Sequence, residues 1–80
     1  MIPYFDLFLW DEQNEEHVAE HGVTTAEFEY VVLNAKKAGS SRSTGRPIVF
    51  GETEAGRKLG CIDEVIDDRY CYPITAYEVE

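Results

Sequence analysis

The chain has 80 residues, of which 44% are hydrophobic and 12% aromatic, and its formal net charge is −9. This length excludes a second domain, and the apolar content excludes a chain that stays disordered. No apolar run approaches the roughly 18 to 20 residues of a membrane helix, and the acidic balance argues against indiscriminate binding to nucleic acid. We therefore expect one domain, residues 1–80, with no membrane partner.

The N-terminus and the cysteines indicate the compartment. Residues 1–6 place no basic region ahead of an apolar stretch, so the sequence predicts no secretory signal. Cys61 and Cys71 are ten positions apart, without the C-x-x-C spacing of redox and zinc sites. We expect a cytoplasmic protein with two reduced, partly buried thiols.

Charge is distributed unevenly along the chain. Residues 1–34 contain eight acids and no Lys or Arg, residues 35–60 carry +4, and residues 61–80 carry −5. Only the middle third is therefore suited to contact a polyanion. The acidic N-terminal part is suited to attract a basic protein segment instead.

The N-terminal part predicts a strand followed by a helix. Tyr4–Trp10 is aromatic and apolar with one polar interruption, which is typical of a short strand. Asp11 offers an N-cap and Gly22 a stop, so the first helix is expected over residues 12–21.

A second helix begins at a capping-box pattern formed by Thr24 and Glu27. It is expected to end within residues 34–37. Its apolar positions share one face, which should cover a sheet: Phe28, Val31, Val32 and Ala35.

The C-terminal half predicts a three-stranded meander. Residues 38–45 are small and polar, which predicts either a flexible loop or a weak edge strand. The following β-branched and aromatic segments are predicted as strands: residues 46–51, 57–66 and 70–79. The element order predicts an α+β domain, with two N-terminal helices packed on a mostly antiparallel sheet of about four strands.

One motif raises the question of a metal. His17, Glu20 and His21 match the H-x-x-E-H pattern of some zinc enzymes. Gly22 ends the helix immediately afterwards, and no third ligand is evident in so short a chain. We favour a histidine that interacts with the helix C-terminus, and we predict no metal and no cofactor. The acidic pairs Asp63-Glu64 and Asp67-Asp68 are interpreted as solvated acids near a hairpin turn.

A second group of residues points to RNA. Arg46, Arg57 and Lys58 lie at predicted strand ends, and three tyrosines lie on the last strand: Tyr70, Tyr72 and Tyr77. Cations neutralise phosphate and aromatic rings stack on bases, so together these side chains would form a small RNA site. The alternative is a solvated basic edge beside core aromatics.

The order and spacing of several short motifs resemble the BrnT family. The motifs are Trp10-Asp11 with Asn14, His21-Gly22-Val23-Thr24 with Glu27, Arg46 with Gly51, Thr53, Gly56, Arg57 and Leu59, and Ile74-Thr75-Ala76. The resemblance covers residues 10–76. It implies a RelE-like ribonuclease toxin fold and a DNA-binding antitoxin that sequesters the toxin, and Arg57 matches the family's arginine after the hairpin glycine. Family members commonly carry a basic residue after the Ser/Thr-Ala pair and then a further helix, whereas this sequence has Tyr77 there and ends at Glu80.

The leading hypothesis is therefore a metal-independent endoribonuclease toxin neutralised by an antitoxin. Three cations are expected to hold the scissile phosphate: Arg46, Arg57 and Lys58. Tyr70 or Tyr77 would stack a base, and His17 is the candidate for proton transfer.

The alternative hypothesis is a non-enzymatic interaction module that keeps the toxin scaffold. It would hold a protein partner with an exposed strand edge or with its acidic helices. Tyr77 in place of a basic residue and the net charge of −9 favour it.

Overall fold

The computed structural model of the chain describes residues 7–35, 37–40 and 45–79. In chain order the elements are β1 (Leu7–Phe8), α1 (Glu12–Glu20), α2 (Thr25–Leu33), β2 (Lys37–Ser40), β3 (Pro47–Glu52), β4 (Lys58–Ile66) and β5 (Tyr70–Glu78). The strands form one sheet in the order β1-β5-β4-β3-β2. Neither described helix is long and apolar enough to cross a membrane.

The predicted α+β class is confirmed, and the sheet is mostly antiparallel. β3, β4 and β5 form the expected meander, β2 pairs antiparallel with β3, and β1 pairs parallel with β5. The described sheet has one strand more than expected because Lys37–Ser40 forms an edge strand. Of the first predicted strand, Leu7–Phe8 is a strand, and residues 4–6 lie outside the described residues.

Both helices begin at the predicted caps. The Asp11 carboxylate accepts a hydrogen bond from the Asn14 backbone at 2.8 Å, and the Asn14 side chain accepts one from the Asp11 backbone at 2.8 Å. Thr24 and Glu27 form the reciprocal pair at the start of α2, with both distances 3.0 Å. Each pair satisfies backbone N–H groups that the first helical turn leaves without partners.

The core lies between both helices and one face of the sheet. Val18 from α1 and Phe28, Val31 and Val32 from α2 are buried there. The sheet contributes Val49, Leu59, Cys61, Cys71 and Ala76. Residues of a strand point alternately to the two faces, so the apolar stripe of each helix covers every second strand residue.

The other side of the sheet carries no described helix. Phe50, Gly60 and Tyr77 are directly opposite one another in the register of β3, β4 and β5. Gly51, next to Phe50, points the other way: a Cβ there would lie 3.3 Å from Val31 of α2. We call the surface formed by Phe50, Gly60, Tyr77 and their in-register neighbours the helix-free face.

The burial of Asp63 shows that one prediction from the sequence is wrong. It was interpreted as a solvated acid, but it is 1% exposed. The reason is strand alternation, because Asp63 falls on the same side of β4 as the buried Leu59 and Cys61. Its Oδ1 has no hydrogen-bond partner among the described residues.

Candidate functional site

A cavity of about 450 Å³ opens at one end of the helix-free face. Its lining comes from three neighbouring strands and the residue that follows β5: Lys37, Phe50, Gly51, Glu52, Lys58, Leu59 and Val79. Phe50 and Val79 make the floor apolar, whereas the Leu59 side chain lies in the core on the helix side of the sheet. The charged groups are Lys37, Lys58 and Glu52, all exposed, so the cavity combines an apolar floor with a charged rim.

The register of the strands explains why these side chains meet. Lys37 of β2 lies opposite Phe50 of β3, and Lys58 of β4 lies opposite Glu52 of β3. Phe50 and Glu52 are two positions apart, so they point to the same face. Val79 is held beside them because its backbone N–H donates to the Lys58 carbonyl at 2.8 Å.

Two aromatic rings cover Gly60 next to the cavity. A Cβ at this position would lie 2.9 Å from Cζ of Tyr77 and 3.1 Å from Cε1 of Phe50. The absence of a side chain at Gly60 therefore lets both rings lie against the sheet. Tyr77 is 37% exposed, so part of its ring is accessible from solvent.

Lys37 and Lys58 differ from the described arginines in their partners. Neither lysine forms an ion pair with a described residue. Arg46 Nε lies 3.8 Å from Oε1 of Glu64, and the Arg69 guanidinium lies 5.4 Å from the centre of the Tyr70 ring. The rim of the cavity thus carries two lysines that lie beyond ion-pair distance of every described acid.

Arg57 is turned away from the helix-free face. Its Nη1 donates to the Gly22 carbonyl at 3.0 Å and to Oε2 of Glu27 at 3.2 Å. Its Nε lies 3.6 Å from Oε2 of Glu78. In this conformation the guanidinium connects the helix side of the domain to the end of β5.

The three cations predicted to hold one phosphate are not brought together. Arg46 precedes β3, whereas Lys58 lies opposite Glu52 at the far end of that strand. Arg46 is six positions before Glu52, which is about 20 Å at roughly 3.3 Å per residue. Arg57 neighbours Lys58 in sequence but engages the helix side.

His17 and Tyr70 lie elsewhere as well. His17, on α1, lines a second cavity of about 200 Å³ with Tyr72, Pro73 and other residues of α1 and β5. There the Tyr72 hydroxyl donates to Oδ2 of Asp11 at 2.6 Å, which lowers the pKa of Asp11 and raises the pKa of Tyr72. Tyr72 is seven positions before Val79 of the first cavity, which is about 23 Å at roughly 3.3 Å per residue.

The metal pattern does not assemble in the described residues. His17 lies within α1 and His21 is its C-cap, and both are exposed. No group of three or more His, Cys, Asp or Glu side chains suited to a metal ion occurs in residues 7–35, 37–40 and 45–79.

The arrangement of two capped helices on one face of a β1-β5-β4-β3-β2 sheet has a match among solved structures. The crystal structure of the Brucella abortus ribonuclease toxin BrnT superposes with a TM-score of 0.71, covering 92% of this chain and 96% of that chain. The chain has the BrnT fold. Sequence identity to that toxin is 22%. No protein-family model matches the sequence, and no curated protein matches it either.

The fold that the motifs implied is therefore confirmed. The lining of the cavity also includes residues that the sequence analysis missed. Lys37, Glu52 and Val79 line the cavity, and none of them was singled out from the sequence. The signal was the segment after α2: reading residues 38–45 as an edge strand would have placed Lys37 beside β3. The pairing of Arg57 with Glu27 had no such signal, because the partners are 30 residues apart.

Proposed function

We propose that this chain is a toxin that cleaves RNA without a metal ion, on the helix-free face of its BrnT fold. The observation that carries the proposal is the cavity between Lys37 and Lys58, two cations without a described acidic partner, beside the accessible ring of Tyr77. The fold is shared with a ribonuclease toxin, which supports RNA as the substrate.

The chemistry follows from the charged groups of the rim. Lys58 stabilises the negative charge that develops on the scissile phosphate, as a positioned cation does in phosphoryl transfer. Glu52 is the carboxylate of the cavity lining, and it accepts the proton of the neighbouring 2′-hydroxyl. The 2′-oxygen then attacks phosphorus, the bond to the 5′-oxygen breaks, and the leaving oxygen takes up a proton from water, while Glu52 releases the proton it accepted back to solvent. The products are a 2′,3′-cyclic phosphate and a 5′-hydroxyl end.

The other predicted RNA contacts take different places in this proposal. Tyr77 stacks a base next to the cavity. Arg57 reaches phosphate only after leaving Glu27. Arg46 and Tyr70 would meet a different stretch of the strand, and His17 lies too far from the cavity to share its chemistry.

The acidic helices give the proposal its protein partner. Four exposed acids lie on α1: Glu12, Glu15, Glu16 and Glu20. A basic antitoxin segment would bind this surface by charge complementarity, on a side of the domain away from the lysines.

The test is cleavage of RNA by the purified full chain in the presence of a chelator. We expect fragments that end in a 2′,3′-cyclic phosphate, and a loss of activity of about a hundredfold in Glu52→Gln and Lys58→Gln. Arg69→Gln is the matched control, because it removes one cation from the opposite end of β4. RNA that stays intact at high protein concentration contradicts the enzymatic proposal.

A non-enzymatic interaction module is the second candidate, and one observation favours it. In the described chain β1 pairs only with Tyr70 and Cys71, so the remainder of β5 has no strand on that side. Such an edge offers backbone groups to an added strand of a partner. Co-purification from native cells separates the candidates: a short basic DNA-binding partner supports the toxin, and a complex without one supports the module.

A further inference from the structure

We propose that the cavity between Lys37 and Lys58 holds one nucleotide of single-stranded RNA. The base lies on the apolar floor, and the phosphates on its two sides contact the two lysines. This inference deepens the proposed function and rests on it for the choice of RNA.

The charges of the described residues indicate an anionic ligand. The protein has a net charge of −9, and the described arginines are all engaged with other side chains. Lys37 and Lys58 keep their charges without an acidic partner, although Glu52 lies opposite Lys58 in the register. Two cations that stay unneutralised in so acidic a domain, on the rim of one cavity, are placed for anionic groups of a ligand.

The spacing of the two lysines indicates a ligand with more than one anionic group. They lie on β2 and β4, opposite Phe50 and Glu52 of β3, so their backbones are about 10 Å apart across the sheet and about 7 Å apart along it. Their flexible side chains can therefore contact two anionic groups on either side of the β3 residue Phe50. Successive phosphates of one RNA strand, with a base between them, lie within reach of two such side chains that lean toward each other over the cavity.

The apolar floor of the cavity is suited to a flat aromatic group of the ligand. Phe50 and Val79 are apolar, and the volume of about 450 Å³ falls within the range of small-molecule sites, roughly 300 to 1,000 Å³. A base fits such a floor because every base has an apolar face that stacks on an aromatic ring. Glu52 accepts hydrogen bonds, and the ribose hydroxyl beside the base supplies a donor.

The apolar floor and Glu52 make the cavity less suited to an acidic peptide than to RNA. A run of carboxylates would gain from the lysines, but it has no flat apolar group for the floor and would meet the like charge of Glu52. We therefore expect both the phosphates and the base to contribute to binding.

The experiment measures binding without cleavage. A fluorescently labelled 2′-fluoro RNA pentanucleotide, which has no 2′-hydroxyl to attack phosphorus, is titrated with the full chain over a series of salt concentrations. The wild-type protein is compared with Lys37→Gln, Lys58→Gln, the conservative Lys37→Arg, and the control Arg69→Gln. Thermal unfolding of each variant confirms that it is folded.

We expect each lysine-to-glutamine change to reduce the slope of log affinity against log salt by about 0.7, the value for one phosphate contact in a single strand. Lys37→Arg is expected to keep the wild-type slope, because it keeps the positive charge, and Arg69→Gln is expected to leave the slope unchanged. An abasic oligomer of the same length and charge is expected to bind at least tenfold more weakly, because it cannot occupy the floor.

Three results would overturn the proposal. The first is that the lysine variants bind RNA with the same salt dependence as Arg69→Gln. The second is that the abasic oligomer binds as tightly as the RNA. The third is that a pentaglutamate peptide displaces the RNA at equal concentration. Cleavage of ordinary RNA together with any of these results overturns the cavity as the nucleotide site and leaves only the ribonuclease activity of the proposed function standing. Binding that depends on both lysines and on the base, without cleavage, supports the cavity and contradicts the enzyme.

Discussion

Nη1 of Arg57 donates to the Glu27 carboxylate, 3.2 Å from Oε2, across 30 residues of sequence. The same nitrogen donates to the Gly22 carbonyl, so Arg57 fixes both the turn after α1 and the first turn of α2. The pKa of Glu27 is lowered chiefly by the hydrogen bond from the Thr24 backbone and further by the charge of Arg57. An arginine that the motif pattern assigned to phosphate thus stabilises the junction of two helices and the sheet.

Removing either partner of this pair should destabilise the fold. We expect Arg57→Gln or Glu27→Gln to lower the free energy of unfolding by about 1 to 2 kcal/mol, since both side chains are partly exposed. Glutamine at position 27 keeps an acceptor for the Thr24 backbone, so the change isolates the charge. Urea unfolding of both single variants and the double variant should give a coupling energy of about 0.5 to 1 kcal/mol. Strictly additive losses would show that the two side chains act independently.

A side chain at Gly51 is expected to crowd α2. A Cβ there would lie 3.3 Å from Cγ1 of Val31 and 3.4 Å from the backbone of Ala35, so Val31 would have to move by a few tenths of an ångström. Gly51→Ala should cost about 1 to 3 kcal/mol of unfolding free energy. Gly39→Ala is the matched control, because nothing lies within 4 Å of its added Cβ, and we expect it to stay within about 0.5 kcal/mol of wild type. Equal midpoints in urea for the two variants would refute the close approach.

Asp63 makes stability depend on pH in an unusual direction. Burial raises the pKa of its carboxyl from 3.8 to about 6, and a hydrogen bond from the Cys71 thiol only partly offsets this. Between these values the folded chain keeps a proton that the unfolded chain releases. The contribution of Asp63 to stability is therefore full below pH 4 and falls as pH rises to about 6.

Replacing Asp63 with Asn removes this dependence. We expect the unfolding free energy of Asp63→Asn, minus that of wild type, to rise by about 2 to 3 kcal/mol between pH 4 and pH 7. Groups with lowered pKa, such as Asp11 and Glu27, contribute equally to both proteins and cancel in the difference. Asp67→Asn, in the exposed turn after β4, is the control for the same carboxylate-to-amide change outside the core. A flat difference for Asp63→Asn itself would mean that its carboxyl titrates normally in the folded chain.

Local signals explain why the elements were predictable and the site was not. The caps at Asp11 and Thr24 depend on residues three positions away, so the sequence contains them within one helical turn. Asp63 and Lys37 instead acquire their surroundings from strand register, which a short window does not contain. A one-residue shift exchanges the faces of a strand, so a cation placed near a strand end can reach either face. Arg57 and Lys58, adjacent in sequence, consequently serve the helix side and the helix-free face.

The acids on α1 should accelerate the encounter with a basic partner. Asp11 is engaged by Tyr72 and Glu27 by Arg57, which leaves Glu12, Glu15, Glu16 and Glu20 exposed on one short helix. Attraction of this kind acts mainly on the association rate and is screened once the Debye length falls to roughly 8 Å, at about 0.15 M salt.

We expect association with the native partner, followed by stopped-flow fluorescence, to slow about tenfold between 0.02 and 0.5 M salt. The paired change Glu12→Gln with Glu16→Gln should slow association at low salt and flatten its salt dependence. Asp67→Asn with Asp68→Asn removes the same charge from the turn at the far end of β4, and should leave the salt dependence as it is. Equal effects of the two pairs would mean that net charge alone, and not the α1 surface, attracts the partner. A rate indifferent to salt in every protein would mean that these glutamates are only the solvated side of an amphipathic helix.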